Sequence, residues 1–142
     1  MANAARARGQ PWLRALGRAL RGRCPNCGGG AVLASWFKVR ERCAACGLRF
    51  ERSRDEEQEY WLGAYTLNFL VTEVLFGVVL LLVLLATWPD PPWRLLLFGG
   101  GAVMILLPIA FYPVSKLLWL AIDLTIRPAQ PEDFDPSEPA PP

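Results

Sequence analysis

Hydrophobic positions are gathered in one stretch of this chain. Between Gly63 and Ser115 the only charged residues are Glu73, Asp90 and Arg94. A soluble domain carries about a quarter of its residues as charges throughout. The pattern therefore predicts a membrane protein with a small polar front end. Two apolar segments exceed the roughly 20 residues that cross a bilayer core as a helix. They are "AYTLNFLVTEVLFGVVLLLVLLATW" and "LLLFGGGAVMILLPIAFYPVS". We delimit the spans as 63–88 and 95–115, with the proline-rich "PDPPWR" at 89–94 as the turn between them. Trp88 and Trp93 at the turn, and Tyr60 and Trp61 at the other end, are expected interfacial aromatics. Pro108 and Pro113 are expected to bend the second span, and "GGG" at 99–101 to form a close-packing face. The helix extends over 116–128, with Asp123 and Arg127 an i,i+4 pair and Pro128 the stop.

Charge then orients the chain. Twelve of the fifteen Lys and Arg precede Trp61, and only acids follow from Glu132. Basic residues favour the cytoplasmic side. The expectation is a bacterial inner-membrane protein with both termini cytoplasmic. The arm, 1–22, lacks the apolar core of a signal peptide. On a helix, Trp12, Leu13, Leu16 and Leu20 share one side and Arg14, Arg18 and Arg21 another. It reads either as an amphipathic helix on anionic lipid or as a disordered basic tail. An acidic linker occupies 55–62, and a disordered acidic tail 129–142.

The polar front end contains "CPNCG" and "CAACG", with Cys27 and Cys43 separated by fifteen residues. Cys24, Cys27, Cys43 and Cys46 thus have the spacing of a tetrahedral metal site. Four thiolates give zinc a closed, redox-inert shell, with iron left open by sequence. The glycine after each second cysteine suits a knuckle that needs positive φ. Between and after the knuckles, "VLASWFKVRERC" and "LRFERSR" predict short β-strands, making 23–54 a zinc ribbon. So small a module needs metal to fold, on the order of 10 kcal/mol or more at neutral pH. A thioredoxin-like role would need a βαβ pattern, which is absent. The predicted fold class is an α-helical membrane protein: a two-helix transmembrane hairpin preceded by a small four-cysteine zinc ribbon.

"RGRCPNCGGG", "CAACGL", the linker "RDEEQEYWLGAY" and the hairpin together resemble a family of small bacterial membrane proteins. It is the family known as domain of unknown function 983, and the resemblance covers about residues 20–128. It implies a membrane and zinc-ribbon architecture and no activity. Some members are encoded near haem-copper oxidase assembly genes and carry a Gly-His pair in the first span. This chain has "TLNFLVTE" there.

Three polar residues, Asn68, Thr72 and Glu73, fall within the first span. A carboxylate there is costly by about 2.5 kcal/mol or more, so Glu73 should face protein, water or a partner. An antiparallel hairpin sets Glu73 level with Val103 or Met104, far from Lys116. Asn68 is expected at the carbonyl of Met104, which Pro108 frees. Histidine is absent, and no nucleophile–base pair, phosphate loop or open metal position assembles. The expectation is a non-enzymatic accessory or assembly factor without a small-molecule substrate. It would dock on a membrane protein, or on copies of itself, through Trp36, Phe37, Lys38, Arg40 and Arg42. The alternatives are a nucleic-acid-binding ribbon tethered to the membrane and an oligomeric transporter using Glu73.

Overall fold

The computed structural model describes residues 12–52 and 58–134, except for the side chains of 58–60. The arm before Trp12, residues 53–57 at the start of the acidic linker and the tail from 135 lie outside the described residues. Three helices are present: α1 (Trp12–Leu20), α2 (Gln58–Thr87) and α3 (Trp93–Ile126). A 3-10 turn, Pro131–Phe134, follows. The linker expected up to 62 is thus helical from Gln58, and the extension expected at 116–128 continues the second span in one helix that encloses Pro108 and Pro113.

α2 and α3 pack as an antiparallel hairpin. Both are long and apolar enough to cross a membrane, and nearly all of their apolar surface is exposed, as a lipid-facing surface requires. The seam is made by one residue per turn of α2: Ala64, Asn68 and Thr72 are buried at i, i+4 spacing. The Trp119 ring occupies the space that a side chain at Gly63 would fill. Farther along, Gly100 lies in contact with the Phe76 ring. The expected close-packing role of "GGG" holds within the hairpin only at Gly100, because Gly99 meets only Leu95 of its own helix and Gly101 faces open space.

The polar module is built onto the end of α3. Its core joins Val32, Leu48 and Phe50 to Leu117, Leu120 and Ala121 of that helix, with Ala19 of α1. The ribbon is therefore not an independent unit, since α3 supplies part of its core. α1 is helical, but Ala15 and Ala19 are its buried residues and it packs on α3, leaving Trp12, Leu13 and Leu20 exposed. It ends in a Schellman motif at Gly22, whose N–H bonds the Ala19 carbonyl while the Arg23 N–H bonds that of Arg18.

Among the described residues no β-strand forms, which corrects the expected strands of the ribbon. Antiparallel pairing is limited to isolated bridges between Arg23 and Ala31, Leu33 and Val39, and Arg42 and Arg49. The turns stand so close together that each pairing is cut off after one step. The tail also differs from expectation at its start. Pro131–Phe134 docks on the ribbon, where the Arg49 N–H bonds the Asp133 carbonyl at 3.0 Å and Phe134 packs against the core.

Candidate metal centre

The two cysteine pairs form matching knuckles. The Gly28 N–H bonds the Cys24 carbonyl at 2.8 Å, and the Gly47 N–H bonds the Cys43 carbonyl at 2.9 Å. Gly28 and Gly47 have φ of 77° and 76°, which a residue with a Cβ rarely adopts. Each knuckle is closed at its base by the N–H of its first cysteine, to the carbonyl of Gly30 in one and of Leu48 in the other. Arg18 of α1 braces the first knuckle by donating to the carbonyls of Pro25 at 3.3 Å and Asn26 at 2.8 Å.

The four sulfurs converge. All lie within 4.8 Å of one another, with Cys24–Cys46 at 3.9 Å and Cys27–Cys43 at 3.6 Å. Zn–S bonds of about 2.3 Å in a tetrahedron set sulfurs about 3.8 Å apart, so the thiols fit a four-sulfur shell of that size. The surroundings favour charged sulfur. The Gly29 N–H points at Cys27 Sγ at 3.3 Å, and the buried Asn26 amide lies 3.9 Å from Cys46 Sγ. Without a cation the four cannot all ionise. The Cys24 hydrogen bond lowers Cys46 to about 5. The same bond and burial raise Cys24, and burial raises Cys43. A bound divalent cation reverses the last two shifts by stabilising thiolate. Backbone and sulfur are packed closely here: a Cβ on Gly30 would fall 2.6 Å from Cys43 Sγ.

The residues expected to form a docking surface are divided. The Trp36 indole N–H donates to the Ile109 carbonyl of α3 at 3.3 Å. That carbonyl has no intrahelical partner because Pro113, four residues on, lacks an N–H. The Phe37 ring lies 5.5 Å from that of Tyr112, and its carbonyl accepts from Lys116 Nζ at 3.2 Å. Lys38 and Arg40 remain exposed, and Arg42 is half-buried.

The polar residues of the first long helix are also separated. Asn68 donates to a carbonyl of α3, but the acceptor is Pro108 at 3.0 Å rather than Met104. The register sets Asn68 opposite Pro108, one turn beyond Met104. Thr72 donates to the Asn68 carbonyl of its own helix at 2.8 Å. Glu73 lies about 100° round the helix from Thr72 and is half-buried. Among the described residues, no hydrogen bond or ion pair reaches it. This places Glu73 at the rim of the seam, where another chain could meet it. We predict that Glu73→Gln leaves self-association in bilayers nearly unchanged, while Glu73→Leu weakens it by about 1–2 kcal/mol. Energy transfer between labelled chains, titrated against lipid, measures this. Equal loss in both variants would instead assign Glu73 a titrating role.

Two side chains that join the ribbon to the hairpin escaped the sequence. Arg52 reaches Asp123 at 3.3 Å and Asp133 at 2.9 Å, and donates to the carbonyls of Arg127 and Pro128. The carboxylate of Asp123 is thus turned to the ribbon rather than reserved for Arg127. Nothing in "LRFERSR" distinguishes Arg52 from its basic neighbours. Lys116 is buried with Nζ 4.6 Å from the ring centroids of both Trp61 and Tyr112. Its signal was available, since it is the sole cation between Arg94 and Arg127.

No curated protein and no solved structure matches the chain. The family described as "Protein of unknown function (DUF983)" matches residues 33–123. The match takes in the second knuckle, all of α2, α3 as far as Asp123 and thus Lys116, and begins after Cys24 and Cys27. With this stretch covering more than half of its length, the chain belongs to the DUF983 family.

Proposed function

We propose that this chain is a non-enzymatic accessory protein of the bacterial inner membrane whose zinc-locked ribbon docks on another membrane protein. Cys24, Cys27, Cys43 and Cys46 would hold the zinc, and its role would be structural. The observation that carries this is the closed sulfur cluster set on a core shared with α3. Four chain-supplied thiolates leave zinc no open position for substrate. A core continuous with a membrane helix turns the ribbon into a rigid head rather than a tethered one. The basic asymmetry of the sequence supports a cytoplasmic head. Lys38 and Arg40 offer an acidic partner surface its complement.

The test is co-purification in mild detergent after cross-linking in intact cells. The double charge reversal Lys38→Glu and Arg40→Glu should abolish recovery of a membrane partner and leave metal content unchanged. Equal recovery with both forms would overturn the assignment of that edge.

A further inference from the structure

We propose that the loop tip, Trp36 and Phe37, is seated in the bilayer at the boundary of headgroups and acyl chains. The occupant of its exposed apolar face is then lipid. This rests on the membrane anchoring proposed above.

The height of the tip is set by its partners on α3. Trp36 is bonded to Ile109 and Phe37 lies on Tyr112. At about 1.5 Å per residue, these positions lie roughly 24 and 29 Å along the helix from Trp93. The hydrocarbon core is about 30 Å thick. With Trp93 at the outer interface, the tip reaches the inner boundary and does not stand off in the cytoplasm.

The tip is also held there. The Ala34 N–H and Ser35 N–H both bond the Lys38 carbonyl, closing a tight turn around the two aromatics. The Lys116 ammonium fixes the Phe37 carbonyl from below, between two rings. Trp36 spends its only polar side-chain atom on the Ile109 carbonyl, which must find a donor at this depth. What remains outward is hydrocarbon: Trp36 is 56% and Phe37 60% exposed. Ile105, Leu106 and Ile109 of α3 are exposed beside this level, so the apolar surface runs from the helix onto the loop.

The tip by itself is too small a surface for a protein partner. Two aromatic side chains bury at most about 300–500 Å². A stable protein interface needs about 800 Å² per partner. Interfacial lipid needs no such area, and an aromatic at the headgroup boundary is favoured there.

The test uses the full chain in bilayers of phosphatidylcholine and phosphatidylglycerol. The Trp36 fluorescence is isolated as the difference between the unaltered chain and Trp36→Phe. We expect this component to be lost in lipid brominated near the headgroup, less in lipid brominated deep in the chains, and not to aqueous iodide. A benzophenone amino acid in place of Phe37 should give, on irradiation, a mass increase of one phospholipid. Quenching by iodide without quenching by lipid would overturn the proposal. So would a cross-link to a second copy or to another protein. Metal content reports whether each variant is folded, and if Trp36→Phe loses metal, the Phe37 cross-link decides alone. A chain that resists carbonate extraction yet exposes Trp36 to iodide refutes this inference only. A chain released by carbonate refutes the membrane reading beneath it as well.

Discussion

Stripping the metal with a chelator at neutral pH is expected to unfold the knuckles and expose all four thiols to alkylation. Structural zinc in small modules contributes about 10–16 kcal/mol at pH 7. The ribbon core is extended by Leu117, Leu120 and Ala121, so the helices should survive while the knuckles do not. The pH dependence follows from the thiols. Cys46, lowered to about 5, is ionised at neutral pH. Cys24 and Cys43 are raised and keep their protons without metal. Metal binding must displace those protons, so affinity rises with pH and falls as the sulfurs are reprotonated on acidification. Metal release should accordingly grow on acidification, and thiol titration against pH measures it. Knuckles that keep their thiols protected in chelator would sink the structural role.

The second large effect belongs to Arg52. Its side chain is 8% exposed, with the guanidinium between the carboxylates of Asp123 and Asp133. Arg52→Met would leave both acids without this cation and two carbonyls without a donor. Breaking a buried pair from one side costs about 3–5 kcal/mol. The joint between ribbon and α3 should then open far more often. Amide exchange at Arg49, bonded to Asp133, reads that opening. It should speed up about a hundredfold or more, at about 1.4 kcal/mol per tenfold. Unchanged exchange would mean that the apolar core alone holds the ribbon to the helix.

Local patterns were legible in the sequence, and long-range joints were not. Uncharged runs revealed both long helices, since hydrocarbon tolerates so few charges. Cysteine spacing and the following glycines revealed the knuckles, because the chemistry is confined to a few consecutive residues in each. The register of the hairpin followed from its short turn, and it brought Asn68 to α3 one turn from the expected carbonyl. Trp36 read as a free aromatic because its partner, Ile109, lies 73 residues away. The ribbon read as a separate domain because the residues completing its core lie far along the chain, beyond the whole first span. Strand propensity in "VLASWFKVRERC" misled for a related reason: turns on both sides limited pairing to single bridges.

The central claim, a structural metal held by four thiolates, is tested most directly by elemental analysis of the full chain purified from membranes without added metal. The account predicts about one zinc per chain, with Cys24, Cys27, Cys43 and Cys46 all protected from alkylation until chelator is added. Substoichiometric metal with freely reactive Cys24 and Cys43 would contradict it.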